Sequence, residues 1–321
     1  MMAVKVKRDL VQLSIAPSQT EREKAARTHV AIREHLEADP ALKKYKIDTF
    51  LQGSYKNSTN VRGDSDVDMG SETDEVFYYD TDWLPSEPQY EYGVSMSSLK
   101  ESVEQSLNQL GKGAFTFWEY RADVLASLQR EYGGQAVIDG NKAITVKGNT
   151  YRLDADVLPC TSFRQYFKNW QGKASYHTGI AFYTKSYDRI VNFPTQHFEN
   201  LAKKDQKNDG KVKGCIRILK RIRNELEDQG QWDRKRSPSF YLESLVWNAP
   251  DDKFNGSYES VVQNVLAYLH QDLQDKKAKH ELDSYAQANN IFTLFHTKFW
   301  NVDDAIAFIE KIWEAVFTVT T

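Results

Sequence analysis

Cysteine is nearly absent: the 321 residues hold two, Cys160 and Cys215, far apart in the chain. A disulfide scaffold and a Cys-rich zinc centre are thereby excluded, and this usage suits a reducing cytoplasmic location. No Cys/His cluster has metal-ligand spacing. No apolar run approaches the length of a membrane span, and Met1 to Arg8 lacks a signal-peptide core, so no membrane association is expected. Charge of one sign is not in excess either. Lys and Arg number 42 against 45 Asp and Glu, a net charge of −3, which gives no global attraction to nucleic acid. Repeats and low-complexity linkers are missing. What remains is 40% hydrophobic and 27% charged, the composition of a soluble protein of one or two domains.

One stretch stands out, Gln52-Gly53-Ser54-Tyr55-Lys56-Asn57-Ser58-Thr59-Asn60-Val61-Arg62-Gly63-Asp64-Ser65-Asp66-Val67-Asp68. Gly53 lacks a Cβ, so its backbone can bend sharply and approach a ligand. Ser54 offers an N–H and a hydroxyl to phosphate oxygens. Gly63-Asp64-Ser65 reads as a turn that opens a strand. On that strand Asp66 and Asp68 share a face, because side chains alternate with period two. Carboxylates about 7 Å apart along a strand can share hard cations such as Mg²⁺, which also takes substrate phosphates as ligands. A lone Asp-x-Asp is common in acidic loops, and a lone Gly-Ser is weaker still; the two at this spacing are far more specific.

The flanks have readable structure. Ser18 and Glu21 form a capping box that starts a helix running to about Ala38, with Ala25, Ile32 and Leu36 on one stripe. Asp39-Pro40 ends it. Ile47 to Leu51 is a short strand, and Val76 to Tyr79 a further one. Residues 80–93 read as a loop. Ser98 and Glu101 predict another capped helix, with Leu99, Val103, Leu107 and Leu110 as core. Asp139-Gly140-Asn141 turns a hairpin between Gln135–Ile138 and Ala143–Lys147. A strand from Tyr151 to Pro159 carries Asp154 and Asp156 on one face. An acidic pair in an apolar strand is costly unless solvated, paired or metal-bound.

Gly-Ser followed about ten residues later by Asp-x-Asp resembles the signature of the polymerase-β-like nucleotidyltransferases. Asp156-Val157-Leu158-Pro159 is similar to the third-carboxylate strand of the oligoadenylate and cyclic GMP–AMP synthases. Gly179-Ile180-Ala181-Phe182 and Ile190-Val191-Asn192-Phe193-Pro194-Thr195-Gln196-His197 resemble the bacterial branch, the cGAS/DncV-like nucleotidyltransferases (CD-NTases) of anti-phage signalling. The resemblance implies that Asp66, Asp68 and Asp156 are the catalytic metal-binding carboxylates, with Asp154 a neighbour of unassigned role. His197 reads as a hydrogen-bonded structural histidine rather than a catalytic one.

Val212 to Glu227 forms a helix with Val212, Ile216, Leu219 and Leu226 as core. Lys213, Arg217 and Lys220 line an adjacent face, ordinarily a solvated basic one. In the family pattern Lys220 is the triphosphate-binding lysine, acting as a point charge. By the same resemblance Ser239 contacts phosphate and Phe240 stacks on a base; the ordinary alternatives are a helix N-cap for Ser239 and a core aromatic for Phe240. With Gly53 and Ser54 these complete the implied nucleotide-binding set. Tyr258–Leu269 and Val302–Val316 read as helices, and Ile291, Phe292, Leu294, Phe295 and Trp300 as core.

The resemblance implies an α+β bilobed fold. A polymerase-β-like core with a mixed sheet and flanking helices would occupy 41–165. A helical lobe like that of the oligoadenylate synthases would occupy 166–321 and close over the nucleotide, and an N-terminal helix (1–40) would brace both. It implies Mg²⁺, with Mn²⁺ as a substitute, and nucleoside triphosphates, ATP among them, as substrates. The product would be a cyclic di- or trinucleotide messenger made by two-metal catalysis and read by a nucleotide-activated effector protein. The animal sensor's zinc insertion has no counterpart here, so no nucleic-acid activator is expected. Three alternatives stay open: a linear oligonucleotide or RNA-tailing enzyme, an antibiotic- or protein-modifying nucleotidyltransferase, and a catalytically silent nucleotide-binding scaffold.

Overall fold

The computed structural model describes residues 4–61, 66–80, 90, 91, 94, 95, 115–169, 171, 173–295 and 300–319. The expected turn at Gly63–Ser65 and the capped helix of Ser98–Leu110 lie outside the described residues. The chain divides into two compact units, one of Thr20–Gln52 and Asp66–Pro194, the other of Met1–Gln19, Gly53–Ser65 and Thr195–Thr321.

The first unit is built on a seven-stranded mixed sheet. Strand Ala155–Lys168 is its axis. It runs parallel to Val67–Asp80 along one edge and antiparallel to Ile144–Val146 and then Ala174–Tyr183 along the other. Asp48–Leu51 and Arg189–Asn192 extend the sheet on either side, and Val137–Asp139 completes the hairpin with Ile144–Val146. Ala155, Val157, Leu158, Cys160 and Phe163 are all buried, as a central strand covered on both faces requires. The two strands expected around Val67 and Val76 are one strand, Val67–Asp80, whose register against its partner slips between Thr73 and Phe77. Strand Ala155–Lys168 begins four residues later and runs nine residues further than the Tyr151–Pro159 expectation. The sheet itself takes in residues as far as Asn192.

Helix Gln19–Ala38 buries Ala25, Thr28, Ile32 and Leu36, the stripe its spacing predicts plus one threonine. The Thr28 hydroxyl accepts the Leu153 N–H at 3.0 Å, tying the helix to the turn that leads into the axial strand. Helix Phe117–Tyr132 opens with a complete capping box: Thr116 accepts the Glu119 N–H, and the Glu119 carboxylate accepts the Thr116 N–H. Its Phe117 packs on Leu158, Cys160, Ile180 and Phe182.

The second unit is helical around Lys211–Asp228. Val212, Ile216, Leu219 and Leu226 are buried as expected, with Ile218, Ile222 and Cys215 beside them. Helices Ser239–Trp247, Tyr258–Lys279 and Val302–Val316 share this core. Leu294 is fully buried in it, with Phe295 and Trp300 packed against it, while Ile291 and Phe292 are half-buried. Strands Val4–Val6 and Phe317–Val319 pair antiparallel.

On the basic face of Lys211–Asp228, Arg217 and Lys220 are buried and Lys213 is half-buried. Arg217 donates to the carbonyls of Ser14 (2.6 Å) and Ser58 (2.7 Å), and Arg223 to that of Ser237 (2.8 Å). Carbonyls brought from distant parts of the sequence satisfy these guanidiniums, which are covered by chain rather than by water.

Candidate active site

In the sheet unit two acidic residues face each other at the start of two adjacent strands, with a third, Asp66, just before one of them. Asp68 and Asp156 are opposite each other in the parallel register, and neighbouring strands lie about 4.8 Å apart. Both are half-buried, and Asp66, two residues before Asp68, is exposed. Thr145 lies opposite Asp156 on the other side and donates its hydroxyl to Asp156 Oδ1 at 2.6 Å. One oxygen of Asp156 is thereby fixed in orientation. On the same face the chain then turns apolar, with Leu158 and Cys160 in the core under Phe117. The acidic row sits where that core ends.

Asp154 does not join the row. It precedes the strand, and its carboxylate accepts the Gly148 N–H at 2.7 Å and pairs with Lys147 at 3.2 Å. The Gly148 bond first, then Lys147, holds this carboxyl below its usual range. Its carboxylate closes the turn of residues 148–154.

The other edge of Val67–Asp80 leads to the Gly-Ser pair. Leu51 pairs with Met69, and Gln52 donates its N–H to the Asp68 carbonyl at 3.0 Å. The next residue, Gly53, has φ 62°, a left-handed backbone that favours glycine. Gly53 and Ser54 open a short helix, Gly53–Asn57. Ser58 is also left-handed (φ 56°), and Thr59 donates its N–H back to the Ser54 carbonyl at 3.0 Å. The segment is a closed turn.

That turn is held by a buried polar network in the helical unit. Glu243 Oε1 accepts from Thr59 and from Lys220 Nζ (2.6 Å); Oε2 accepts from Asn57 Nδ2 (2.8 Å) and lies 2.8 Å from His197 Nε2. Lys220 also donates to Thr59 Oγ1 at 3.1 Å. Lys220 and Glu243 are 1% and 2% exposed. Burial would push the Glu243 carboxyl up, but Lys220 and His197 outweigh it and hold it well below the usual range. His197 is thus the hydrogen-bonded structural residue expected.

Ser239 is the first residue of its helix, and Pro238 takes the N-cap position with no side-chain bond. The alternative of Ser239 as an N-cap is therefore excluded, and the residue is half-buried at the helix start. Ser237 instead is structural, accepting from Trp232 Nε1 at 2.8 Å. The Phe240 ring lies 4.7 Å from His197 and 5.2 Å from Trp300.

Glu243, Asn57, Thr59 and Thr145 were not singled out from the sequence. For Glu243 a signal existed, a single carboxylate within the apolar run Phe240-Tyr241-Leu242-Glu243-Ser244-Leu245-Val246-Trp247. For Thr145 the signal is its place opposite Asp156, which needs the hairpin register.

Among the described residues no three His, Cys, Asp or Glu side chains are gathered as a ready metal-binding group. The in-register pair Asp68 and Asp156 nevertheless fits a hard divalent cation, since Mg²⁺ is held by one or two carboxylates and otherwise by water and phosphate. Among the described residues no helix is long and apolar enough to cross a membrane.

In-register carboxylates on a parallel pair of strands in a mixed sheet, with a Gly-Ser pair about ten residues earlier in the chain and a separate helical unit, define the class of a polymerase-β-like nucleotidyltransferase. Comparison with known proteins narrows the class. Residues 2–110 match the Second Messenger Oligonucleotide or Dinucleotide Synthetase domain, and residues 199–316 the cGAS/DncV-like nucleotidyltransferase C-terminal helical domain. The cyclic UMP-AMP synthase of Rhodothermus marinus is 36% identical over 76% of this chain and 77% of its own. The cyclic dipurine nucleotide synthase of Elizabethkingia meningoseptica is 31% identical over 84% of each. The structure of the Elizabethkingia CdnE cyclic dinucleotide synthase with GTP and Apcpp superposes with a TM-score of 0.74 at 29% identity, covering 95% of this chain and 97% of that one. The Rhodothermus CdnE structure with Apcpp and Upnpp gives 0.74 at 31% identity, over 95% of each. The chain belongs to the cGAS/DncV-like nucleotidyltransferases, and it is an enzyme.

Proposed function

We propose that this enzyme joins two nucleoside triphosphates into a cyclic dinucleotide and releases pyrophosphate at each condensation. The observation that carries the reading is the register of Asp68 opposite Asp156, with Asp66 two residues before. The names of the relatives, all cyclic nucleotide synthases, support the cyclic product. They differ in the bases they join: UMP with AMP, two purines, two pyrimidines.

To Asp66, Asp68 and Asp156 we assign the divalent cations, Mg²⁺ or Mn²⁺. Bound there, the cation supplies neutralising charge for the triphosphate and acidifies the acceptor hydroxyl. Asp156, one oxygen steadied by Thr145, orients a ribose hydroxyl. The hydroxyl oxygen attacks the α-phosphorus, the α–β phosphoanhydride bond breaks, and pyrophosphate leaves with the electron pair. To Gly53, Ser54, Lys220 and Ser239 we assign the leaving phosphates, and to Phe240 the base. The Lys220 ammonium donates to Glu243 and Thr59 and is assigned to the phosphates as a point charge. A second condensation, within the linear intermediate, closes the ring. The product would serve as an anti-phage messenger for a nucleotide-activated effector protein, as the family resemblance implies.

The test is incubation with the four labelled triphosphates and Mg²⁺ or Mn²⁺, phosphatase treatment, and separation of products. Phosphatase-resistant product that disappears in Asp66→Asn/Asp68→Asn is the expected result, and omission of one triphosphate at a time names the bases. Label that stays phosphatase-sensitive, or moves onto added RNA or protein, would overturn the cyclic reading.

A further inference from the structure

The buried network around Glu243 does more than fill the helical unit. Its single carboxylate gathers donors from three separate segments: Asn57 and Thr59, His197 in helix Pro194–Lys207, and Lys220 in helix Lys211–Asp228. Asn57 and Thr59 belong to the turn that begins with Gly53 and Ser54, closed by the Thr59 to Ser54 backbone bond. Glu243 is four residues after Ser239 on the same helix, so both lie on one face of it. Of the residues assigned to phosphate binding, Lys220 is bonded to this carboxylate directly and Ser54 through Thr59, Gly53 adjoins Ser54, and Ser239 shares the helix. Buried charge is costly, and hydrophobic residues of similar volume often serve stability as well or better. A carboxylate in such a place, each oxygen taking two contacts, fits a role in geometry.

We infer that Glu243 is a positioning residue: it fixes the Gly53–Thr59 turn and the Lys220 ammonium in the arrangement that receives the triphosphate. This rests on the proposed nucleotidyl transfer. Catalytic carboxylates in the sheet do the chemistry; Glu243 touches no reacting atom and acts through Asn57, Thr59 and Lys220. Removing Asn57 and Thr59 side chains would free the turn while leaving the Lys220–Glu243 and His197–Glu243 contacts in place.

The discriminating variant is Asn57→Ala/Thr59→Val. ATP binding in the presence of Ca²⁺ is measured by calorimetry, and kcat and KM by pyrophosphate release with Mg²⁺, alongside the melting temperature. The expected outcome is ATP affinity weakened and KM raised on the order of tenfold, kcat changed by less, and a melting temperature within a few degrees of wild type. Thr59→Ser, which keeps the hydroxyl, should restore most of the affinity to the Thr59 position. Unchanged affinity and KM, with only a lower melting temperature, would make the network merely structural and overturn the inference while leaving nucleotidyl transfer intact. Wild-type protein that neither binds ATP nor converts any of the four triphosphates would overturn both.

Discussion

The two units treat carboxylates in opposite ways. In the sheet unit Asp66 is exposed and Asp68 and Asp156 are half-buried, at the end of an apolar face, with a neutral hydroxyl from Thr145 on Asp156. In the helical unit Glu243 is buried and its two oxygens take four contacts, including an ammonium. The first arrangement leaves these carboxylates partly or fully exposed, which suits the hard cation we propose there. The second cancels its charge internally and spends it on holding a turn. A carboxylate's role follows from what surrounds it: Asp154, two residues from Asp156, belongs with the second kind because Gly148 and Lys147 already claim it.

The sharpest way to break this contrast is to neutralise the acids on each side. Asp66→Asn/Asp68→Asn should reduce product formation by roughly a thousandfold or more, the loss of several kcal/mol of charge stabilisation, with little change in melting temperature; activity within tenfold of wild type would remove these residues from the chemistry. Glu243→Gln should act first on stability. It leaves the Lys220 ammonium buried without its counter-charge, a cost of about 3–5 kcal/mol, read from urea unfolding. Glu243→Gln/Lys220→Met should recover much of that cost; if the double variant is no more stable than the single, the pair is not the source. The sign with pH follows from the depressed carboxyl: the pair's stabilisation is fully present above the ordinary glutamate range and is lost only as pH falls through the much lower folded value.

Smaller effects sharpen the picture. Thr145→Val should lower kcat about tenfold by releasing one Asp156 oxygen, on the order of 1 kcal/mol for a single hydrogen bond, with unfolding nearly unchanged. Glu72 supplies the opposite pH sign. Burial first, then the nearby Asp48 and Asp74 carboxylates, push its carboxyl up despite the Ser162 hydroxyl. The folded state therefore favours the protonated acid, and ionisation destabilises it as pH rises through the folded value. Glu72→Gln should raise stability at pH 8 by about 1 kcal/mol or less, and the gain should shrink as pH falls toward 4. A constant gain across that range would rule out ionisation as the cause.

Much of this was legible in the chain because local rules suffice for it. The period of Ala25, Ile32 and Leu36 gave their helix, and Asp139-Gly140 gave the hairpin that now carries Thr145. The strand carrying Asp68 was expected from Asp66 but begins at Val67, and the register of Asp68 opposite Asp156 needs the parallel pairing. Helix Phe117–Tyr132 carries a local signal, the Thr116–Glu119 box, that was not read. Other features have no local signal. Arg217 looks solvent-facing by period, yet it is buried because the carbonyls of Ser14 and Ser58 arrive from far away in sequence. Asp154 and Asp156 look equivalent by alternation, and only the turn through Gly148 separates them.

That separation gives the most direct test. Pyrophosphate release from the four triphosphates with Mg²⁺ is measured for Asp154→Asn and Asp156→Asn, each checked for an intact melting transition. Asp156→Asn should lose roughly a thousandfold or more, and Asp154→Asn should stay within about tenfold of wild type, losing one turn-closing bond. If Asp154→Asn is as inactive as Asp156→Asn, or Asp156→Asn keeps its activity, the Asp66, Asp68 and Asp156 row is not the catalytic centre.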